Sequence, residues 1–67
     1  MELSARNRLR GTVKRITTGN VMAEVTIDVG GQEVVAAITK GSVDRLGLKT
    51  GDAVVAVIKA TDVMVGK

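Results

Sequence analysis

The sequence predicts an all-β fold: a small five-stranded barrel with one short helix, assembled into an oligomer. Three observations carry this. Val, Ile and Thr supply 23 of the 67 residues, and their branched side chains favour strands over helices. Proline is absent while eight glycines are available for tight bends. Phe, Trp and Tyr are absent although 45% of the residues are apolar, so the core must be aliphatic. A chain this short is one domain, residues 1–67, and buries only about 60% of the surface its unfolded form exposes. Disulfides, a structural metal or oligomerisation are the usual remedies. With no Cys and no His, disulfides and the common zinc sites are excluded, and oligomerisation remains.

The elements follow in order. Met1 to Asn7 is polar and unpatterned, ending in the compact group Ser4-Ala5-Arg6-Asn7. Leu9, Gly11 and Val13 alternate with Arg10, Thr12 and Lys14, a half-buried strand. Ile16 falls out of that parity, which marks a bulge or the strand's end. Thr17-Thr18-Gly19-Asn20 reads as a turn. Val21 to Val29 is the clearest strand: Val21, Ala23, Val25, Ile27 and Val29 share one face. Gly30-Gly31 is a two-residue hairpin turn, because glycine adopts positive φ cheaply. Glu33 to Thr39 is a strand apolar on both faces, which requires cover on both faces, one cover being another subunit. Ser42 is expected to N-cap a short helix through Leu46, with Asp44 in its first turn and Gly47 at the left-handed position that ends it. Lys49-Thr50-Gly51-Asp52 is a further turn. Ala53 to Ile58 is again apolar on both faces, and Asp62 to Val65 forms a last short strand. A helix between the third and fourth of five strands is the layout of an OB-like Greek-key barrel. An SH3-like barrel fits the same pattern.

Composition also narrows function. The commonest general acid/base and the strongest side-chain nucleophile are missing, and the seven carboxylates show no catalytic pairing, so the chain is not expected to be an enzyme. No window approaches the ~18 apolar residues of a membrane span, and Met1-Glu2-Leu3-Ser4 does not open a signal peptide. A cytoplasmic protein is expected. The net charge of +3 and the isoelectric point near 9.8 attract anions, though such a charge also serves plain solubility.

Three polar groups interrupt the aliphatic pattern at strand boundaries: Ser4-Ala5-Arg6-Asn7, Thr39-Lys40-Gly41-Ser42 and Lys59-Ala60-Thr61. Each combines a hydroxyl with a cation, the equipment for holding a small oxyanion. Each has a purely structural role open to it as well. Ser42 serves as a helix cap, Arg6 as a solvated terminal residue, and Lys59 as the point where a strand leaves the core.

Ser4-Ala5-Arg6-Asn7 followed by Leu9-Arg10-Gly11, with Lys59-Ala60-Thr61-Asp62-Val63-Met64 near the end, resembles the molbindin (Mop) family of molybdate/tungstate-binding proteins. The middle agrees in Gly19, Ala23-Glu24-Val25, Ile38-Thr39, Ser42-Val43 and Leu46-Gly47. The resemblance implies an OB-like barrel, a homohexamer built as a trimer of dimers, and molybdate or tungstate bound intact between subunits for storage, buffering or delivery. No side chain ligates the metal directly. Carried over position by position, it implies oxyanion binding by Ser4, Ala5, Arg6, Thr39, Ser42, Lys59 and Ala60, and a second oxyanion site at the turn around Asn20. Met22 and Lys40-Gly41 depart from the family pattern. These groups suit such a ligand, since Arg6 and Lys59 balance a dianion, while hydroxyl and N–H donors match an ion that offers only acceptors. The alternative is a nucleic-acid-binding OB-like module. The basic isoelectric point favours it, and the absence of aromatic stacking platforms opposes it.

Overall fold

The computed structural model describes residues 4–67, and Met1–Leu3 of the polar N-terminal stretch lie outside the described residues. Four antiparallel strands form one sheet: β1 (Asn7–Thr18), β2 (Met22–Val29), β3 (Gln32–Thr39) and β4 (Ala53–Ile58), in the order β3-β2-β1-β4. Helix α1 (Lys40–Leu46) sits between β3 and β4 in the chain.

The long first strand organises the sheet. Its first half pairs with β4, from Asn7↔Ile58 to Thr12↔Ala53. Its second half pairs with β2, from Thr12↔Asp28 to Thr18↔Ala23. Between these halves the register shifts, so that Val13 faces Ile27 and Arg15 faces Thr26 with Lys14 as the extra residue. The bulge explains why Ile16 breaks the alternation of Leu9, Gly11 and Val13. One inserted residue changes the parity and returns Ile16 to the inner face opposite Val25. The strand therefore continues through Thr17 and Thr18, and the turn falls at Gly19–Val21 rather than starting at Thr17.

The core is aliphatic throughout. Val13, Ala23, Val25, Ile27, Val43 and Ala56 form its buried centre, with Ile16, Val34, Ala36, Ile38, Leu48 and Val54 packed around it. Helix α1 contributes Val43 to this cluster. Gly30 and Gly31 have φ of 59° and 90°, as the two-residue hairpin between β2 and β3 requires. Gly11 is needed for a different reason. A Cβ there would lie 2.5 Å from the Asp28 carbonyl oxygen and 2.6 Å from Ile27 Cγ2, so β1 and β2 approach where only a hydrogen fits.

Two expected features differ. Thr39, not Ser42, caps the helix: Thr39 has extended φ/ψ and its Oγ1 accepts from the Ser42 amide at 3.0 Å. The helix thus begins at Lys40, and Asp44 falls beyond its first turn. Both residues are good caps, and the end of β3 decides between them. The fifth strand expected over Asp62–Val65 is absent. Ala60–Asp62 instead makes a single 3₁₀ turn, and residues 63–67 pair with no described strand. A lone extended segment without a hydrogen-bonded neighbour gains nothing from strand geometry. Met64 and Val65 are left 93% and 94% exposed. The outward residues Val35, Val55 and Val57 of the doubly apolar strands are also exposed within one chain.

At the exposed surface of the sheet, Glu33 accepts from Lys14 Nζ at 2.5 Å and from Arg15 Nη2 at 3.2 Å. The Lys14 hydrogen bond, then its charge, hold the Glu33 carboxyl below the usual carboxylate range, with a smaller contribution from Arg15 and against some desolvation. A carboxyl lowered by folding stabilises the fold above its unfolded-state value, and that contribution is lost as pH falls through the lowered value. Glu33→Gln should therefore melt slightly below the unmodified protein at neutral pH, the difference closing towards the acid end. Melting curves across pH check this, and a gap that widens in acid would contradict it.

Candidate functional site

The structure gathers the expected site residues into two groups. The first lies where β1 begins and β4 ends. Asn7 Nδ2 donates to the Ile58 carbonyl at 3.2 Å, clamping these ends together next to the Asn7↔Ile58 pair. Arg6 and Lys59 each lie one residue beyond that last pair. Ala5 is buried and anchors the segment, leaving Ser4 and Arg6 on either side exposed. Lys59, also exposed, has extended φ/ψ and precedes the 3₁₀ turn. The amide N–H of Ala60 stands at the first position of that turn, where helical geometry provides no partner for it. Ser4, Arg6, Lys59 and Ala60 are thus brought to one end.

The second group lies where β3 passes into α1. The Thr39 hydroxyl donates to Ser42 Oγ at 2.8 Å, and the Ser42 amide donates back to Thr39 Oγ1. Arg45 Nη2 donates to Ser42 Oγ at 3.0 Å. Sequence reasoning missed Arg45, although its place three residues after Ser42 on a helix puts the two on one face. Asn20 belongs to this end too. Its turn is joined to the helix start by the Lys40 amide, which donates to the Val21 carbonyl at 2.7 Å.

These groups stand at opposite ends of β1. Arg6 immediately precedes Asn7, whereas Thr39 pairs with Met22 beside the Thr18↔Ala23 pair. Eleven residue steps of β1, interrupted by the bulge at Lys14, lie between Asn7 and Thr18. Among the described residues no hydrogen bond or ion pair joins Arg6 or Lys59 to Thr39 or Ser42. Each end separately presents hydroxyl and cationic donors. Among the described residues no cluster of three or more His, Cys, Asp or Glu could hold a bare metal ion, and no helix is long and apolar enough to cross a membrane.

Fold and donor clusters together define a small domain built on one four-stranded antiparallel sheet, β3-β2-β1-β4. Its edge strands β3 and β4 do not pair to close the expected five-stranded barrel, and hydroxyl and cationic side chains stand at both ends of its long first strand. The TOBE domain model matches residues 3–65, and the chain belongs to that family. Molybdenum-pterin-binding protein 3 of Clostridium pasteurianum is 46% identical over 66 residues, covering 97% of each chain. A molybdate-binding protein from Sporomusa ovata, whose structure is solved, is 51% identical with a TM-score of 0.95, covering 100% of both chains. The cytoplasmic molybdate-binding protein ModG is 56% identical with a TM-score of 0.85, covering 90% of this chain and 43% of that one. The likeness to molbindins read from the sequence is borne out by these relatives.

Proposed function

We propose that this protein binds molybdate or tungstate as the intact oxyanion, for intracellular storage, buffering or delivery, at sites each completed by two copies of the chain in a hexamer built as a trimer of dimers. The separation of the two donor groups carries this reading. A doubly negative ion taken from water needs compensating charge and several donors at once. Ser4, Arg6, Lys59 and the Ala60 amide make one half of such a shell, and Ser42 with Thr39 the other. A second copy, docked so that its α1 end meets the β1 start of the first, encloses the ion. The exposed outward valines and the unpaired apolar tail supply surface for that docking. A second oxyanion site at Asn20 would lie beside the helix end of the same assembly. The bound ion undergoes no reaction: the described residues donate hydrogen bonds and charge, and the cargo leaves as it came.

Binding to the native assembly raises its stability by mass action. At roughly a hundredfold excess over the dissociation constant the gain is about 2.7 kcal/mol, or about 10 °C or more in melting temperature for a domain of this size. Micromolar molybdate and tungstate should each produce such a shift in a thermal melt, with sulfate producing little. Equal shifts from all three anions would reduce the reading to general anion binding, and no shift from any would remove it.

A further inference from the structure

Arg6 and Lys59 carry the charge of the first donor group, yet among the described residues no hydrogen bond or ion pair holds either side chain. Both are exposed, and each lies one residue outside the β1–β4 ladder, which ends at Asn7↔Ile58. Their places are therefore set by the backbone on either side of them. Ala5, which is buried, fixes the near side of Arg6. The Asp62 amide, donating to the Lys59 carbonyl at 2.9 Å, fixes the far side of Lys59. The remaining anchor is common to both. In a partly buried contact, Asn7 Nδ2 donates to the Ile58 carbonyl at 3.2 Å, joining the residue after Arg6 to the residue before Lys59. A carbonyl cannot donate, so the nitrogen of the Asn7 carboxamide is the atom that faces it. Asn is a poor strand former. At the last rung, where a ladder opens most readily, its side chain ties the two strands together.

We propose that Asn7 is a positioning residue for the oxyanion site: its side-chain bond to Ile58 holds the last rung closed, so that Arg6 and Lys59 are already placed when the anion arrives. The inference rests on the oxyanion-binding reading above and deepens it. Long cationic side chains lose freedom when they close on an ion. A backbone that must also be ordered at that moment subtracts further from affinity. Asn7 makes this second cost part of folding instead. Without the tie the same two cations remain, but the rung that carries them opens and closes. The fraction of molecules with the rung closed then scales the affinity.

The test pairs calorimetric titration of the full-length protein with sodium molybdate and amide hydrogen exchange of the same protein without anion. Asn7→Val removes the donor and gains strand propensity, and Asn7→Leu, closer in size to Asn, is the second variant. Each should weaken molybdate about three- to tenfold, the worth of one hydrogen bond, while the urea midpoint holds. In the anion-free protein the amides of residues 6–8 and 58–60 should exchange faster, and that of Val25 in the buried centre of β2 should not. Asn7→Gln, which keeps the carboxamide on a longer stem, should recover most of the affinity. The loss should shrink in an Arg6→Ala background, where one of the two placed residues is gone, and stay in full in a Lys67→Ala background. Unchanged molybdate affinity would overturn the proposal. Weaker binding with unchanged exchange would overturn it too, making Asn7 a direct contact of the ion. Faster exchange throughout, with a lower urea midpoint, would make Asn7 merely structural and overturn it as well. An unmodified protein that binds no molybdate would overturn the oxyanion reading itself, while the exchange difference would still report whether Asn7 holds the rung.

Discussion

Gly11→Ala should remove more than half of the stability of a marginal domain and lower its urea midpoint accordingly. The added Cβ meets the Asp28 carbonyl oxygen at 2.5 Å, Ile27 Cγ2 at 2.6 Å and Val29 Cγ2 at 3.0 Å. The first contact is backbone in the paired strand β2, and Ile27 is fixed in the core, so neither yields cheaply. Overpacking of this kind costs about 3 kcal/mol or more, against a total stability of about 5 kcal/mol for the least stable domains. Gly41→Ala is the matched control. Its nearest neighbour lies at 3.9 Å, its φ is ordinary and it sits in α1, so the change should be neutral or stabilising by up to about 1 kcal/mol. Urea midpoints for both variants check this. A Gly11→Ala protein as stable as the Gly41→Ala protein would show that β1 and β2 are not in such close contact.

Arg6→Ala and Lys59→Ala should each weaken molybdate binding by about ten- to a hundredfold. Charge-assisted hydrogen bonds to a desolvated ion contribute about 1.5–3 kcal/mol apiece. Removing either cation also leaves the dianion under-compensated. Lys67→Ala removes the same formal charge from the exposed C-terminal residue, and binding should hold within about twofold because solvent screens a distant charge. Titration of the three variants separates local contact from overall charge. If Lys67→Ala proves the most damaging, the assignment of the first donor group is wrong.

What the sequence made legible follows from local physics. The period-two pattern of Val21 to Val29 identifies β2 because Ala23, Val25 and Ile27 are buried while Met22, Glu24 and Asp28 between them are exposed. Thr26 is buried as well, and the exposed Val21 falls before the strand. Gly30-Gly31 marks the hairpin because that turn needs positive φ at both positions. Even the bulge left a trace, since inserting one residue is the simplest way to put Ile16 out of parity with Val13. What escaped depends on relations between distant segments. Whether Thr39 or Ser42 caps α1 is settled by where the β3 ladder stops. Asp62–Val65 has the residues of a strand but no partner among the described strands of its own chain. Gly11 fits the alternation of β1, and only the closeness of β2 shows why no larger residue serves. Among the donors, the grouping of Arg6 with Lys59 comes from the β1–β4 register, and the separation of both from Ser42 comes from the length of β1. Residue spacing encodes neither. Arg45 was within reach of an argument from helix periodicity.

The central claim is that one anion is held by the β1 start of one copy and the helix end of another. Complementation between two disabled proteins tests it most directly. One carries Arg6→Ala and Lys59→Ala, the other Ser42→Ala and Arg45→Ala, and each alone should bind no molybdate at micromolar concentration. Co-refolded in equal amounts, they should regain about a quarter of the sites, the fraction in which both intact halves meet in a randomly mixed symmetric assembly. Native mass spectrometry counts subunits and bound anions in the same measurement. A mixture that binds no more than its components, while forming mixed assemblies of normal size, would place the site within a single chain and contradict the account.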